Sequence, residues 1–185
     1  MGGHGRPTIR GAPASETASI PILGVRALGL DPGLVETGYA ILEAARRGVT
    51  VVETGVLRTR GDAPLEVRLE QLYTEVGGLL DRLHPELVVI EEIYAESKFP
   101  RTAILMGHAR GVICLAARQR NVTILPLTPA EVKRATTANG RASKGQVQRA
   151  TQALLGLARL PRPSHVADAL GLALTGLSRA GVALR

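Results

Sequence analysis

Cysteine is almost absent from this chain. Its single copy, Cys114, sits in the apolar run V-I-C-L-A-A, so no intrachain disulfide can form and a disulfide-stapled secreted scaffold is excluded. The residue reads as a small buried hydrophobe. Aromatic residues are nearly as scarce: three Tyr, one Phe and no Trp are too few for a base-stacking sheet surface of the single-strand-binding kind. No uninterrupted apolar stretch reaches the roughly 18 residues of a membrane span. The N-terminus also lacks the apolar region and small-residue cleavage site of a signal peptide. A cytoplasmic protein with no membrane partner is therefore expected. Lysine is the third shortage: among 23 Lys and Arg residues only Lys98, Lys133 and Lys144 are lysines.

What is present points to one globular domain with a polyanionic partner. At 185 residues and 45% hydrophobic composition, burial of roughly 70% of the unfolded surface is expected, which sets aside disorder throughout. Twenty-three basic against 16 acidic residues leave a net charge of +7, and nucleic acid is the first partner to consider.

Residues 1–21 are rich in Gly, Pro, Ser and Thr without periodicity and read as a flexible extension, leaving 22–185 as the folded domain. A start codon placed too early, or an Arg- and Ser-containing transit peptide, would look the same. From Val25 the text becomes regular. Val25–Leu30, Thr37–Leu42 and Val49–Leu57 read as three strands of a hairpin or meander, the first stopped by Asp31-Pro32 and Gly33. Leu65, Leu69, Leu72, Val76, Leu79, Leu80 and Leu83 fall at helical spacing between Pro64 and Pro85. Leu87–Ile90 and Val122–Leu125 read as further strands. Helices are expected over Thr102–Arg120, Pro129–Ala135, Gln146–Leu157 and Val166–Leu177. Gly107 and Gly111 fit either core packing or a subunit interface. This order predicts an α/β fold, a mixed five-stranded sheet with helices on both faces and a right-handed parallel crossover between the last two strands.

Two carboxylates follow buried apolar strands directly, Asp31 and Glu91, and such a placement is costly unless something compensates the charge. The D-P-G tripeptide also begins ordinary turns, so Asp31 carries a bland reading as well. Neighbouring strands lie about 4.8 Å apart, close enough for two such carboxylates to share a cation. Glu92, facing the other way, is the expected solvated companion. In P-S-H-V-A-D-A-L-G-L, His165 and Asp168 are three apart and share a helix face, with Ser164 as the expected N-cap. Asp31, Glu91, His165 and Asp168 together suit Mg²⁺ or Mn²⁺, two ions per site being expected, with the imidazole tilting preference toward Mn²⁺. With a polyanion as partner, that set supports phosphodiester hydrolysis.

The chain resembles the RuvC family of Holliday-junction resolvases from about Val25 to Ser178. The resemblance rests on L-G-L-D-P-G with T-G-Y, V-V-I-E-E, G-H-A-R-G, G-R-A-S-K-G-Q-V-Q and H-V-A-D-A-L-G-L-A, in that order. It implies an RNase H-like fold and a crossover junction endodeoxyribonuclease that makes paired symmetric nicks in four-way junction DNA. Asp31, Glu91 and Asp168 match three of the family's four acidic catalytic residues. The fourth departs, being His165 where many members carry Asp. Lys133 and Lys144 match two basic residues near the scissile phosphate. Tyr94 stands where the family has an aromatic inserted beside bases at the opened junction centre, and Lys98 and Arg101 would meet the DNA backbone. A homodimer and a branch-migration partner of the RuvAB type are implied likewise. Three competing readings are an RNA-processing nuclease of the RuvX/YqgF branch, an actin-like ATPase half, disfavoured by the absence of any repeat, and a junction-binding protein without activity.

Overall fold

The computed structural model describes residues 23–93, 100–159 and 161–184. The predicted extension over 1–21 lies outside them. Five strands and five helices follow one another as β1 (Arg26–Asp31), β2 (Glu36–Ala45), β3 (Gly48–Arg58), α1 (Leu65–Leu83), β4 (Leu87–Glu91), α2 (Pro100–Gln119), β5 (Thr123–Leu127), α3 (Pro129–Thr137), α4 (Lys144–Leu154) and α5 (Ser164–Arg179). The sheet order is β3-β2-β1-β4-β5. The first three strands form the expected antiparallel meander, and β4 joins β1 and β5 in parallel, with α2 as the crossover between β4 and β5. Among the described residues no helix is long and apolar enough to cross a membrane.

Each strand sends alternate residues to opposite faces, and two separate cores result. Leu28, Leu30, Ile41, Val88 and Ile90 pack against α1 and α2. Ala27, Ala40, Leu42, Val89 and Leu127 pack against α3, α4 and above all α5, whose residues from Val166 to Leu177 are almost wholly buried except Asp168. Parity along β1 and β4 therefore sends the strand-end carboxylates Asp31 and Glu91 toward the α5 face.

Small residues let α5 lie directly on the sheet. A Cβ at Gly29 would stand 2.1 Å from the Ala169 carbonyl oxygen, one at Gly38 2.3 Å from the His165 carbonyl oxygen, and one at Gly176 2.3 Å from Val89 Cγ2. Gly29→Ala is expected to destabilise the protein by about 1–3 kcal/mol through overpacking against backbone. Gly78→Ala, on α1 with open space around it, should instead stabilise by up to about 1 kcal/mol. Urea unfolding of the two variants checks both signs.

Three local expectations are corrected. The N-cap of α5 is Pro163, with no side-chain cap, because Ser164 already lies inside the helix. Helix α4 begins at Lys144, two residues before the periodicity predicts, because Ser143 and Gln146 form a capping box. On α2, Ala109, Ile113, Ala116 and Ala117 are buried, while Ile104 and Leu115 are 60% and 51% exposed. Nothing lies within 4 Å of a Cβ placed at Gly107 or Gly111, so these glycines serve no packing among the described residues. Cys114 is half-buried against the α1–α2 core.

Candidate metal centre and nucleic-acid cleft

Asp31 is the last residue of β1, and the turn after it is held by Thr37, whose buried hydroxyl donates to the Gly33 carbonyl at 2.7 Å. Leu30 pairs with Ile90 across the parallel ladder, so Asp31 and Glu91 occupy the next register position on neighbouring strands. The close approach at Gly38 brings the start of α5 over this strand end. His165 Nδ1 lies 2.7 Å from Asp31 Oδ2, a contact in which an ionised carboxylate requires the ring nitrogen to donate. One turn on, Asp168 Oδ2 accepts a 2.6 Å hydrogen bond from Lys144 Nζ.

One donor atom from each of Asp31, His165 and Asp168 lies within 4.8 Å of the others. Glu91 stands outside that group of three but faces the same space. With Lys133, Lys144 and Asp168 it lines a cleft of about 260 Å³. Burial raises the Asp31 carboxyl above its ordinary range, the hydrogen bond from His165 opposes this, and the Asp168 charge adds to the rise. Glu91 is pushed up to about 7 by burial first, then by the charges of Asp31 and Asp168, with Lys144 and Lys133 pulling the other way. Two lysines thus leave the anionic charge undercompensated. Two carboxylates and an imidazole within reach of one another, with a third carboxylate beside them, fit a hard divalent cation.

The lysines are placed by caps. Thr128 Oγ1 accepts from the Glu131 amide and Glu131 Oε2 from the Thr128 amide, which starts α3 and sets Lys133 in its second turn. Arg179 of α5 also holds Glu131 at 2.6 Å, tying α3 to the helix that carries Asp168. The Ser143–Gln146 box performs the same service for Lys144. Both boxes are legible as T-P-A-E and S-K-G-Q, signals that the periodicity reading passed over. Arg110 was also missed: its Nε donates to the Glu91 carbonyl at 3.3 Å. No pattern in its own neighbourhood announces that contact.

Of the expected DNA-facing residues, Arg101 is exposed in the first turn of α2. Tyr94 and Lys98 lie outside the described residues. Glu92, expected to be solvated, is half-buried, and its amide donates to the Leu127 carbonyl at 2.8 Å.

The sequence pattern of the family described as crossover junction endodeoxyribonuclease RuvC matches residues 27–176. The chain belongs to the RuvC family. A RuvC of Caldicellulosiruptor saccharolyticus is 42% identical over 151 residues, which span 81% of this chain and 90% of that protein. One from Rhodopirellula baltica is 40% identical over 149 residues, spanning 80% and 84%. Among solved structures, T. thermophilus RuvC in complex with Holliday junction substrate matches with a TM-score of 0.78 and 31% identity, covering 85% of this chain and 96% of that one. The mixed sheet with helices on both faces is the RNase H-like fold of these RuvC neighbours.

Proposed function

We propose that this chain is a divalent-metal-dependent endonuclease that resolves Holliday junctions by paired symmetric nicks in DNA recombination and repair. The observation that carries the reading is the convergence of Asp31, His165 and Asp168 at one strand end, beside a cleft that also presents Glu91, Lys133 and Lys144. Asp31, Glu91, His165 and Asp168 would hold the cation, two ions being the expected load. Bound there, divalent ions supply Lewis acidity toward the scissile phosphate and its attacking water.

The chain's own groups do the positioning. Lys133 and Lys144 line the same cleft as Glu91 and would offer point charges to the phosphodiester once cations offset the carboxylates. Lys144 also orients Asp168 by the 2.6 Å ion pair. His165 orients Asp31 through the 2.7 Å contact, and its imidazole would serve as a ligand in its own right. Arg101, Lys98 and Tyr94 belong to the DNA-facing rim in this reading.

Paired nicks require two sites related by two-fold symmetry, and we place the second copy on the outward face of α2. Exposed Ile104 and Leu115 and the open space over Gly107 and Gly111 support that choice. A RuvAB-type motor is the partner that family membership suggests.

The test is nicking of a strand-labelled synthetic four-way junction with Mg²⁺ or Mn²⁺, against structured RNA as the competing substrate. Paired cuts in DNA support the proposal. Cutting of RNA alone would favour the RNA-processing branch, and binding without cuts an inactive binder. The wild type should work better with Mn²⁺, and His165→Asp should shift the Mn²⁺ to Mg²⁺ rate ratio toward Mg²⁺ by about tenfold, the scale of ligand-environment effects on metal affinity. Identical ratios in both proteins would count against His165 as a ligand.

A further inference from the structure

The turn that follows Asp31 is pinned at three successive carbonyls. Residues 32–35 join β1 to β2, and Thr37 and Thr59 supply every donor: Thr37 Oγ1 to the Gly33 carbonyl at 2.7 Å, Thr59 Oγ1 to the Leu34 carbonyl, and the Thr59 amide to the Val35 carbonyl at 3.2 Å. Thr59 is buried just past the end of β3. Its hydroxyl also accepts from Nε of Arg68, near the start of α1, at 3.1 Å. A hydrogen-bonded path therefore runs from α1 through Thr59 to the backbone beside the metal centre. The Nη2 of Arg68 is buried without a hydrogen-bond partner among the described residues. That is a costly state for a charged group, so stability alone is a poor account of this side chain.

We propose that Arg68 and Thr59 are positioning residues for the metal centre: the Arg68 guanidinium fixes the Thr59 hydroxyl, which pins the turn and so holds the Asp31 carboxylate where a divalent cation needs it. The inference rests on the nuclease reading of that centre and adds to it two residues from outside its walls.

Shortness of the linkage is the main argument. Only Pro32 separates Asp31 from the pinned carbonyls, and its ring removes one of the soft torsions between them. Gly33 closes the turn so tightly that a Cβ there would stand 2.3 Å from the Glu36 carbonyl oxygen. A shift of the Leu34 peptide plane thus has little slack to absorb it before it reaches Asp31. The Leu34 side chain, buried in the α1–α2 core, anchors the turn, while the Thr59 hydroxyl sets the direction of its carbonyl. A hydroxyl that accepts from a charged N–H is polarised by it and donates more strongly. Groups placed behind a metal ligand change affinity or activity by about 10- to 100-fold through orientation alone.

Four variants separate this from a general loss of stability. Thr59→Val keeps the shape and the amide but removes the hydroxyl, Thr59→Ser keeps both donors, and Arg68→Met keeps the apolar stem without the guanidinium. Tyr73→Phe, which removes a hydrogen bond to Gln119 from the same helix, controls for loosening of α1. Mn²⁺ binding is read by calorimetry on the DNA-free protein, and nicking on a strand-labelled four-way junction at saturating substrate. Thr59→Val and Arg68→Met should each weaken Mn²⁺ binding and lower kcat by about tenfold or more, with junction affinity in Ca²⁺ unchanged. Thr59→Ser and Tyr73→Phe should match wild type. The double variant of Thr59→Val with Arg68→Met should lose no more than the larger single loss, because the two act along one path. Equal Mn²⁺ affinities throughout the set, a loss in Thr59→Ser as large as in Thr59→Val, or losses that track the urea midpoints with Tyr73→Phe included would overturn the assignment. The expected pattern of Mn²⁺ affinities in a wild type that never cuts DNA would instead overturn the nuclease reading and leave the positioning role standing.

Discussion

An Asp31→Asn protein is expected to bind a four-way junction and leave it uncut, with nicking reduced by about a thousandfold or more, the scale of removing a group that stabilises charge in the transition state. The size of the effect follows from position. Asp31 is the end residue of the central strand, in contact with His165, close to Asp168 and one ladder step from Glu91. Asn keeps the shape and one acceptor oxygen but removes the charge that a divalent cation needs. Removing a negative charge also makes the protein more basic, so affinity for phosphates should hold or rise. Strand-labelled nicking and a gel-shift assay on the same junction read the two properties apart. Full activity in this variant would sink the assignment.

Glu91→Gln should lose activity on a similar scale and, unlike most active-site changes, gain stability when no divalent ion is present. The Glu91 carboxyl sits at about 7 in the folded chain against an ordinary 4.5. A raised carboxyl means that the folded state holds a proton that the unfolded state gives up. Its stabilising contribution is therefore complete below about pH 4.5 and is lost as pH climbs through 7. Asp31 shifts in the same direction. The metal-free wild type should thus weaken between pH 5 and pH 8, and Glu91→Gln should flatten part of that slope. At pH 8 the variant should be more stable by about 1–2 kcal/mol once solvent screening of a half-exposed group is allowed for. Saturating Mn²⁺ should reverse the order of the two proteins, since the ion stabilises more the chain that binds it more tightly. Urea midpoints across pH, with and without Mn²⁺, decide the matter. A wild type insensitive to pH in the metal-free state would contradict the undercompensated charge at Glu91.

Much of the site is legible in the sequence because it lies at strand ends. A run of buried residues that stops on a carboxylate marks Asp31 and Glu91 without any knowledge of the fold, and period-two parity then assigns both to one face. The spacing of His165 and Asp168 likewise needs only helical geometry. That these two elements meet is not local information. It depends on Gly29, Gly38 and Gly176, whose role is to be missing a side chain where α5 touches the sheet, and absence leaves no periodicity to read. The α4 start differs from its expected position for another reason: apolar spacing begins at Val147, whereas the helix is set by the polar pair Ser143 and Gln146. The outward face of α2 shows a third limit. A helix apolar on most sides does not reveal which side the rest of the chain will cover, and only the structure separates Ile113 inside from Leu115 outside.

The three glycine contacts have an effect on substrate choice. With backbone seated on backbone at Gly29 and Gly38, and Gly176 against the Val89 side chain, α5 lies close on the sheet, which holds His165 and Asp168 in relation to Asp31 like teeth cut into one jaw. Conformational adjustment on engagement then falls on the nucleic acid, and the elastic work of reshaping it depends on its own sequence. Branch points whose flanking steps unstack cheaply should be processed fastest, a selectivity exerted by stiffness without any direct reading of the duplex arms.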